Sequence, residues 1–239
     1  MDVGKAFTFV TEDASWLTKI GIGAIIVFTG PLLLGIPLLL LVGYQLAVTR
    51  NVMNGMERPL PEWEDFGKLF MDGLYITLAR IVYTLPFILL ICIAVVVSIL
   101  PAMSAESGND GLTAVLTGTA ALVWLVVACL AVLFGIAFFF IAPAISIQYV
   151  RTGEFGACFR FGEVIGIVRE HMSDIVIAAV VLIIVNFVLQ ATISALGATG
   201  CGLILAIPLG LAAYPYLAAT TGHLYGQIAA RIAGKGAAY

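Results

Sequence analysis

Four long stretches without a formal charge constrain this chain more than any other feature of its sequence. They contain no Asp, Glu, Lys or Arg, and they run over Ile20–Thr49, Ile81–Ala105, Gly111–Val150 and Ile175–Ala230. Each exceeds the roughly 20 apolar residues that a helix needs to cross about 30 Å of hydrocarbon. The chain is 62% hydrophobic and only 10% charged, whereas a soluble domain is about 25% charged. We therefore expect an all-α, polytopic transmembrane helix bundle.

Proline and glycine residues divide these stretches into about five spans within a single membrane domain of 239 residues. Gly30, Pro31 and Pro37 interrupt the first span, which forms either one kinked crossing or a re-entrant hairpin. Pro101 is expected to end the second span, and Pro143 is expected to kink the third. The predicted spans cover about 20–46, 74–100, 112–150, 174–196 and 203–230, with connectors at about 58–72 and 155–173.

Basic residues indicate which side of the membrane each connector faces. They fall in the connector before the second span, in the connector before the fourth, and in the C-terminal tail: Arg50, Arg58, Lys68, Arg151, Arg160, Arg169, Arg231 and Lys235. The positive-inside rule places these segments in the cytoplasm of an inner-membrane protein, with the C-terminus cytoplasmic. Five crossings put the N-terminus outside, whereas a re-entrant first segment puts it inside. We favour five crossings.

The most distinctive connector contains a run of acidic and aromatic residues: Leu60, Pro61, Glu62, Trp63, Glu64, Asp65 and Phe66. Pro61 suits the first turn of a helix, and the acidic residues after it complement the positive end of the helix dipole. We expect a cytoplasmic amphipathic helix over about 58–72 that anchors in the membrane interface through Trp63 and Phe66. In the alternative interpretation, the same surface docks a second protein. A similar interfacial helix is expected over about 155–173.

Polar side chains inside the membrane are the default functional candidates because they are costly there. The sequence offers Arg80, Asn186, Gln190 and His223. Arg80 can snorkel from a helix end, and the other three can bond between helices; alternatively, all four line one polar cavity. Glycines four residues apart in the last span predict a close helix contact, either within the chain or between two copies.

Other kinds of chemistry find little support. A net charge of −3 argues against nucleic acid as a partner. Glu163, His171 and Asp174 form a poor set for catalysis or metal binding, and the sequence contains no nucleotide-binding, hydrolase or zinc-protease motif. We predict no catalytic residue, no cofactor and no metal. The cysteines are widely separated, which is typical of small buried hydrophobes: Cys92, Cys129, Cys158 and Cys201.

Residues 10 to 90, approximately, resemble a known family. Gly43-Tyr44 closes a helix, residues 60–65 form a Leu-Pro-x-Trp-x-Asp motif, and Asp72-Gly73 precedes the next span. These features are similar to those of a family of bacterial and archaeal multi-span membrane proteins catalogued as a domain of unknown function. The resemblance implies a compact bundle in the cytoplasmic membrane and brings no known activity.

The sequence favours a non-enzymatic scaffold or accessory subunit of a membrane assembly, because it combines two large connectors with little sign of chemistry. Its expected partners are membrane lipids and either another membrane protein or a second copy of the chain. A transporter or carrier for a small apolar or weakly polar solute or lipid is the alternative, which a shared polar cavity would favour. An enzyme acting on lipid is the third hypothesis.

Overall fold

The computed structural model describes residues 1–106, 108–200 and 202–234, so Cys201 and Lys235 lie outside the described residues. This part of the chain contains α1 (Lys5–Glu12), α2 (Trp16–Thr29), α3 (Leu38–Met53), α4 (Phe66–Glu106), α5 (Asp110–Thr152), α6 (Phe161–Glu170), α7 (Met172–Ala198) and α8 (Leu203–Ile232). Short 3₁₀ turns lie at Pro31–Leu33 and Phe155–Phe159. The predicted all-α class is confirmed.

Four of these helices are long and apolar enough to cross a membrane, namely α4, α5, α7 and α8. They contain the last four predicted spans. α4 continues through Pro101 to Glu106, and α5 is helical on both sides of Pro143. The sequence analysis expected Pro101 to end its helix, but a proline is tolerated in an apolar membrane helix when neighbouring groups satisfy the freed carbonyl.

The first predicted span is a hairpin of two short helices. α2 has 14 residues and α3 has 16, so each is roughly 21–24 Å long and shorter than the hydrocarbon layer of about 30 Å. The chain reverses between them through Leu34 and Gly35, whose φ angles are +52° and +80°. Glycine adopts this left-handed conformation without steric cost. This shape matches the re-entrant hairpin that the sequence left open as an alternative.

The N-terminal residues lie at the same end of the bundle as the end of α8. The backbone N–H of Asp2 donates to Gln227 Oε1 at 2.7 Å, and Gln227 Nε2 donates to the carbonyl of Asp2 at 2.7 Å. An odd number of crossings would separate these residues by a membrane. Four long apolar helices and a hairpin with both ends beside the end of α8 fit the re-entrant alternative better than the five crossings that we favoured, and the number of crossings stays a prediction.

The chain divides into two compact units. The first comprises Met1–Ala79 and Pro143–Tyr239 and contains α1, the hairpin, α6, α7, α8 and one end each of α4 and α5. The second, Arg80–Ala142, consists of the remaining parts of α4 and α5 and the turn between them. Within it, the rings of Phe87 and Phe134 stack with centroids 5.1 Å apart.

Glycines allow the helices of the first unit to touch through their backbones. A Cβ at Gly222 would lie 2.5 Å from the carbonyl oxygen of Gln45, and one at Gly226 would lie 2.8 Å from that of Thr49. The two glycines of α8 thus pack against α3 within the chain, which is the first of the two alternatives that their spacing allowed. They set the position of α8 beside the hairpin.

α3 and α4 also cross at a glycine contact. A Cβ at Gly43 would lie 1.8 Å from the carbonyl oxygen of Leu69, and a Cβ at Gly73 would lie 1.9 Å from that of Leu39. Neither position has room for a side chain. Because this crossing fixes the start of α4, it also fixes the connector that leads into it.

Candidate functional site

The connector between α3 and α4 is a folded loop over most of its length. Residues 58–65 are not helical, and α4 begins at Phe66. The amphipathic helix that we expected over about 58–72 is therefore absent from its first half. Leu60 and Trp63 are buried, with 4% and 6% of their surface exposed, and Asn51 Nδ2 donates to the carbonyl of Pro59 at 3.0 Å. These contacts tie the loop to the hairpin.

Trp63 joins the loop to both helices of the hairpin. Its ring stacks on Tyr44 of α3, with centroids 4.4 Å apart and an angle of 10° between the planes. Its Nε1–H donates to the backbone carbonyl of Lys19 in α2 at 2.9 Å. The sequence analysis placed Trp63 in the membrane interface, but the side chain instead fills the base of the hairpin, where it gains both a stacking partner and a hydrogen-bond acceptor.

A buried lysine lies beside Trp63 and was not singled out as a site residue by the sequence. Lys19 is 3% exposed, and its ammonium contacts Asp13 Oδ2 at 2.7 Å, Glu62 Oε1 at 2.8 Å and the carbonyl of Leu60 at 3.0 Å. Three acceptors match the three N–H donors of the ammonium. A buried charge needs such pairing because desolvation is otherwise costly. Two signals in the sequence pointed to Lys19: its position beside an apolar segment and its place, with Trp16 and Gly21, in the family resemblance.

Asp13 completes this ion cluster. Its Oδ1 accepts hydrogen bonds from the backbone N–H of Ser15 at 2.8 Å and from Ser15 Oγ at 2.7 Å. Burial alone would raise the pKa of Asp13, but the hydrogen bonds from Lys19 and Ser15 outweigh it and lower the pKa to about 2. With Asp13 and Glu62 both ionised, the cluster around Lys19 carries one net negative charge.

The outer side of the same loop is acidic. Glu57, Glu64 and Asp65 are exposed, and the Glu62 side chain remains 58% exposed although one of its oxygens contacts Lys19. We call these four residues the acidic face. Asp65 also accepts a hydrogen bond from the backbone N–H of Lys68 at 3.0 Å, so it caps the start of α4. Exposed Met56 and Phe66 flank the acidic face: they are 53% and 46% exposed.

A cavity of about 460 Å³ opens beside the ion cluster. Its lining includes Asp13, Lys19, Asn51, Arg58 and Glu62, which come from the turn between α1 and α2, the start of α2, the end of α3 and the loop. We call it the Lys19 cavity.

A second buried ion pair anchors α4 to its neighbours. Asp72 is 7% exposed; its Oδ2 contacts Arg50 Nη1 at 3.1 Å, and its Oδ1 accepts from the Tyr149 hydroxyl at 2.6 Å. These contacts link α3, α4 and α5 within the first unit. The resemblance included Asp72, but nothing in the sequence indicated Tyr149 as its partner.

The four predicted intramembrane candidates are distributed over different surfaces. His223 is 2% exposed, its Nδ1 lies 3.1 Å from Gln227 Nε2, and its ring lies 4.5 Å from that of Phe9. It contributes to a cavity of about 270 Å³ whose lining also includes Lys5 and Glu57. We call this the His223 cavity. The remaining candidates do not line it: Arg80 begins the second unit, and Asn186 and Gln190 are exposed on α7.

Asp174, one of the three residues that looked poor for catalysis or metal binding, forms an ion pair with an arginine. Arg231 Nη1 bonds both carboxylate oxygens of Asp174, at 2.7 and 2.8 Å, and His171 Nδ1 lies 4.0 Å from Asp174. In the described part of the chain, no group of three His, Cys, Asp or Glu side chains is arranged to hold a metal ion. Asp174 therefore ties the start of α7 to the end of α8.

Comparison with known proteins gives one positive result. A family model described as "Protein of unknown function (DUF4013)" matches residues 15–198. The chain belongs to the DUF4013 family. The matched region includes the hairpin, the loop with the acidic face and helices α4 to α7, so it extends well beyond the stretch on which the resemblance rested. No curated protein and no solved structure matches the chain.

DUF4013 membership agrees with the resemblance to a family of unknown function. The bacterial or archaeal origin and the family's motif remain predictions from the sequence. Together, the match and the four long apolar helices describe a multi-pass membrane protein whose activity must be argued from its site.

Proposed function

We propose that this protein is a non-enzymatic scaffold or accessory subunit of a membrane assembly, and that the acidic face docks a partner protein. The observation that carries the proposal is the two-sided loop between α3 and α4. Leu60 and Trp63 are buried in the core, while Glu57, Glu64 and Asp65 are exposed and the Glu62 side chain is 58% exposed.

A fixed loop suits recognition because less conformational entropy is lost when a partner binds. Two anchors hold the acidic face: the Trp63 indole bonded to α2 and stacked on α3, and the Asn51 amide bonded to Pro59. The exposed carboxylates would steer and orient a basic partner. Exposed Met56 and Phe66 at its edge supply apolar contacts.

The chemistry of the acidic face fits a partner segment that combines Lys or Arg with apolar residues. The segment would lie close to the membrane, because the loop joins the short apolar helix α3 to the membrane-spanning α4. The positive-inside rule supports a cytoplasmic position for this loop and for the C-terminus. We therefore place the docking surface on the cytoplasmic side of the inner membrane.

The test uses a photo-crosslinking residue at position 64 in cells, followed by identification of the adduct. Glu64 is exposed and has no described ion pair, so its replacement leaves the fold intact. The proposal predicts one stoichiometric protein adduct, whose yield falls about tenfold when Glu57→Lys is added, since a reversed charge opposes a basic partner. A crosslinker at exposed Glu106, the other end of α4, serves as the control position. Lipid adducts alone, or the same adduct from both positions, would contradict the docking role.

A carrier for a small, weakly polar solute is the second candidate function. The His223 cavity favours it, because a buried imidazole shares this space with an ammonium and a carboxylate. Its test is flux of candidate solutes in proteoliposomes containing the purified chain. Flux that disappears in His223→Ala, with the fold retained, would favour the carrier over the scaffold.

A further inference from the structure

The lining of the Lys19 cavity contains groups of both charges. Asp13 and Glu62 contact the buried Lys19 ammonium, and by formal charge these three groups leave one net negative charge. Arg58 also lines the cavity; its side chain is exposed and forms no ion pair in the part of the chain that the structure describes. The cavity is thus complementary to a zwitterion, with its cationic group toward Glu62 and its anionic group toward Arg58.

The fold holds the two carboxylates of the Lys19 cavity, those of Asp13 and Glu62, against the buried lysine. The Lys19 side chain is only 4% exposed and contacts both carboxylates, so the position of Glu62 is fixed from within. Its carboxylate nevertheless remains 58% exposed, which leaves capacity to accept hydrogen bonds from a bound ammonium. Asp13 has used Oδ2 on Lys19 and Oδ1 on Ser15, and therefore Glu62 is the acceptor that a ligand can reach.

The cavity lies where the hairpin meets the polar loop. The segments that form it also expose apolar side chains: Met56, which lines the cavity, is 53% exposed, and Leu17 of α2 is 68% exposed. A volume of about 460 Å³ falls in the range of roughly 300–1,000 Å³ typical of small-molecule sites. A polar headgroup fits this space while its hydrocarbon chains remain beside the hairpin.

We propose that the Lys19 cavity binds the headgroup of an aminophospholipid, a phosphate diester that carries a primary ammonium group. Arg58 binds the phosphate, for which a guanidinium is well suited. Glu62 accepts N–H donors from the ammonium in a charge-assisted hydrogen bond. A trimethylammonium headgroup has no such donor, and a glycerol headgroup has no positive charge, so both should bind more weakly. This lipid site shares Glu62 with the acidic face, but it does not rest on the proposed partner docking.

The test is native mass spectrometry of the full-length protein released from nanodiscs that contain equal amounts of phosphatidylethanolamine, phosphatidylcholine and phosphatidylglycerol. The proposal predicts one retained phosphatidylethanolamine, about tenfold enriched over the other two lipids. Arg58→Gln should lower the retention of phosphatidylethanolamine about tenfold, because it removes the guanidinium that binds the phosphate. Arg160→Gln is the matched control, because Arg160 is also an exposed loop arginine but lies on the other connector, beside Glu154. Equal retention of the three lipids by the unaltered protein, or undiminished retention of phosphatidylethanolamine in Arg58→Gln, would overturn the proposal.

Glu62→Gln separates headgroup recognition from folding. This variant keeps the shape of the side chain but weakens the contact with Lys19, so its thermal unfolding is measured alongside its lipid retention. A folded Glu62→Gln variant should retain phosphatidylethanolamine and phosphatidylcholine equally. If it does not fold, soluble phosphoethanolamine and inorganic phosphate are compared as stabilisers of the unaltered protein. Stronger stabilisation by phosphoethanolamine supports the zwitterion site, whereas equal stabilisation indicates an anion site at Arg58 alone and overturns it.

Discussion

Replacement of Trp63 should destabilise the protein far more than replacement of Phe66, although the two residues are only three apart. Trp63 is 6% exposed, stacks on Tyr44 and donates to the carbonyl of Lys19. Truncation of a buried aromatic side chain to alanine costs about 3–5 kcal/mol. Phe66 is 46% exposed, so Phe66→Ala should cost less than about 1 kcal/mol.

The hydrogen bond of Trp63 can be tested separately. Trp63→Phe keeps an aromatic ring but removes the donor to Lys19, for which we expect a loss of about 1–2 kcal/mol. Trp124→Phe is the matched control: Trp124 also donates its Nε1–H, to Ser98 Oγ at 2.7 Å, but it is 41% exposed. Its replacement should cost less than that of Trp63.

The assay is equilibrium unfolding in mixed micelles, titrated with dodecyl sulfate and followed by far-ultraviolet circular dichroism. If Trp63 and Phe66 anchored an interfacial helix, as the sequence predicted, their alanine variants would lose similar stability. Equal losses would therefore refute the buried position of Trp63. A Trp63→Phe loss no larger than that of Trp124→Phe would refute the role of its hydrogen bond.

Three further results follow from contacts in the first unit. Gly43→Ala should abolish the monodisperse folded fraction in gel filtration, because the new Cβ would lie 1.8 Å from a carbonyl oxygen of α4. Gly67→Ala is the control and should be tolerated, because its Cβ would have no neighbouring atom closer than 3.8 Å. Tyr149→Phe removes a 2.6 Å hydrogen bond to buried Asp72 and should cost about 1–3 kcal/mol in the same unfolding titration; an unchanged midpoint would contradict this. The pKa of Asp13 is lowered to about 2 from a usual 3.8, so its ionised carboxylate adds about 2 kcal/mol to the free energy of unfolding above pH ~4. This contribution is lost as the pH falls toward 2. Asp13→Asn should remove that part of the acid dependence, and an identical pH profile would argue against it.

Much of the fold could be predicted because membrane helices follow simple physical rules. Charge-free stretches locate α4, α5, α7 and α8, since a charge inside hydrocarbon is costly and roughly 20 apolar residues are needed to cross it. Helix ends were less predictable. Pro101 lies inside α4 because an apolar environment holds the helix together even where proline removes one hydrogen bond.

The sequence alone could not show how many helices the first apolar stretch contains, and the number of crossings depends on this. Ile20 to Thr49 is long enough for one kinked crossing or for two short helices. The left-handed turn at Leu34 and Gly35 selects the second arrangement. The sequence showed the interruption at Gly30, Pro31 and Pro37, but the contact between Asp2 and Gln227 that supports the returning path joins residues 225 positions apart.

Helical periodicity gave the wrong prediction for the loop that carries the acidic face. Trp63 and Phe66 share one side of a hypothetical helix, and three carboxylates suit its first turn. In the structure, the Trp63 indole donates a hydrogen bond to the Lys19 carbonyl and stacks on Tyr44. These tertiary contacts override the local helical pattern, so α4 begins only at Phe66. The sequence identified the right segment as distinctive but could not show which of its side chains turn inward.

Labelling of single cysteines tests the central arrangement most directly, because the ion pairs of Lys19 with Asp13 and Glu62, which hold the loop, require the loop and the N-terminal residues to share one side of the membrane. In a cysteine-free background, cysteines replace exposed Thr11, Glu64 and Glu106 one at a time, and a membrane-impermeant maleimide is added to right-side-out and inverted vesicles. The hairpin predicts that positions 11 and 64 react only in inverted vesicles and that position 106 reacts only in right-side-out vesicles. Reaction of positions 11 and 64 from opposite sides would contradict it.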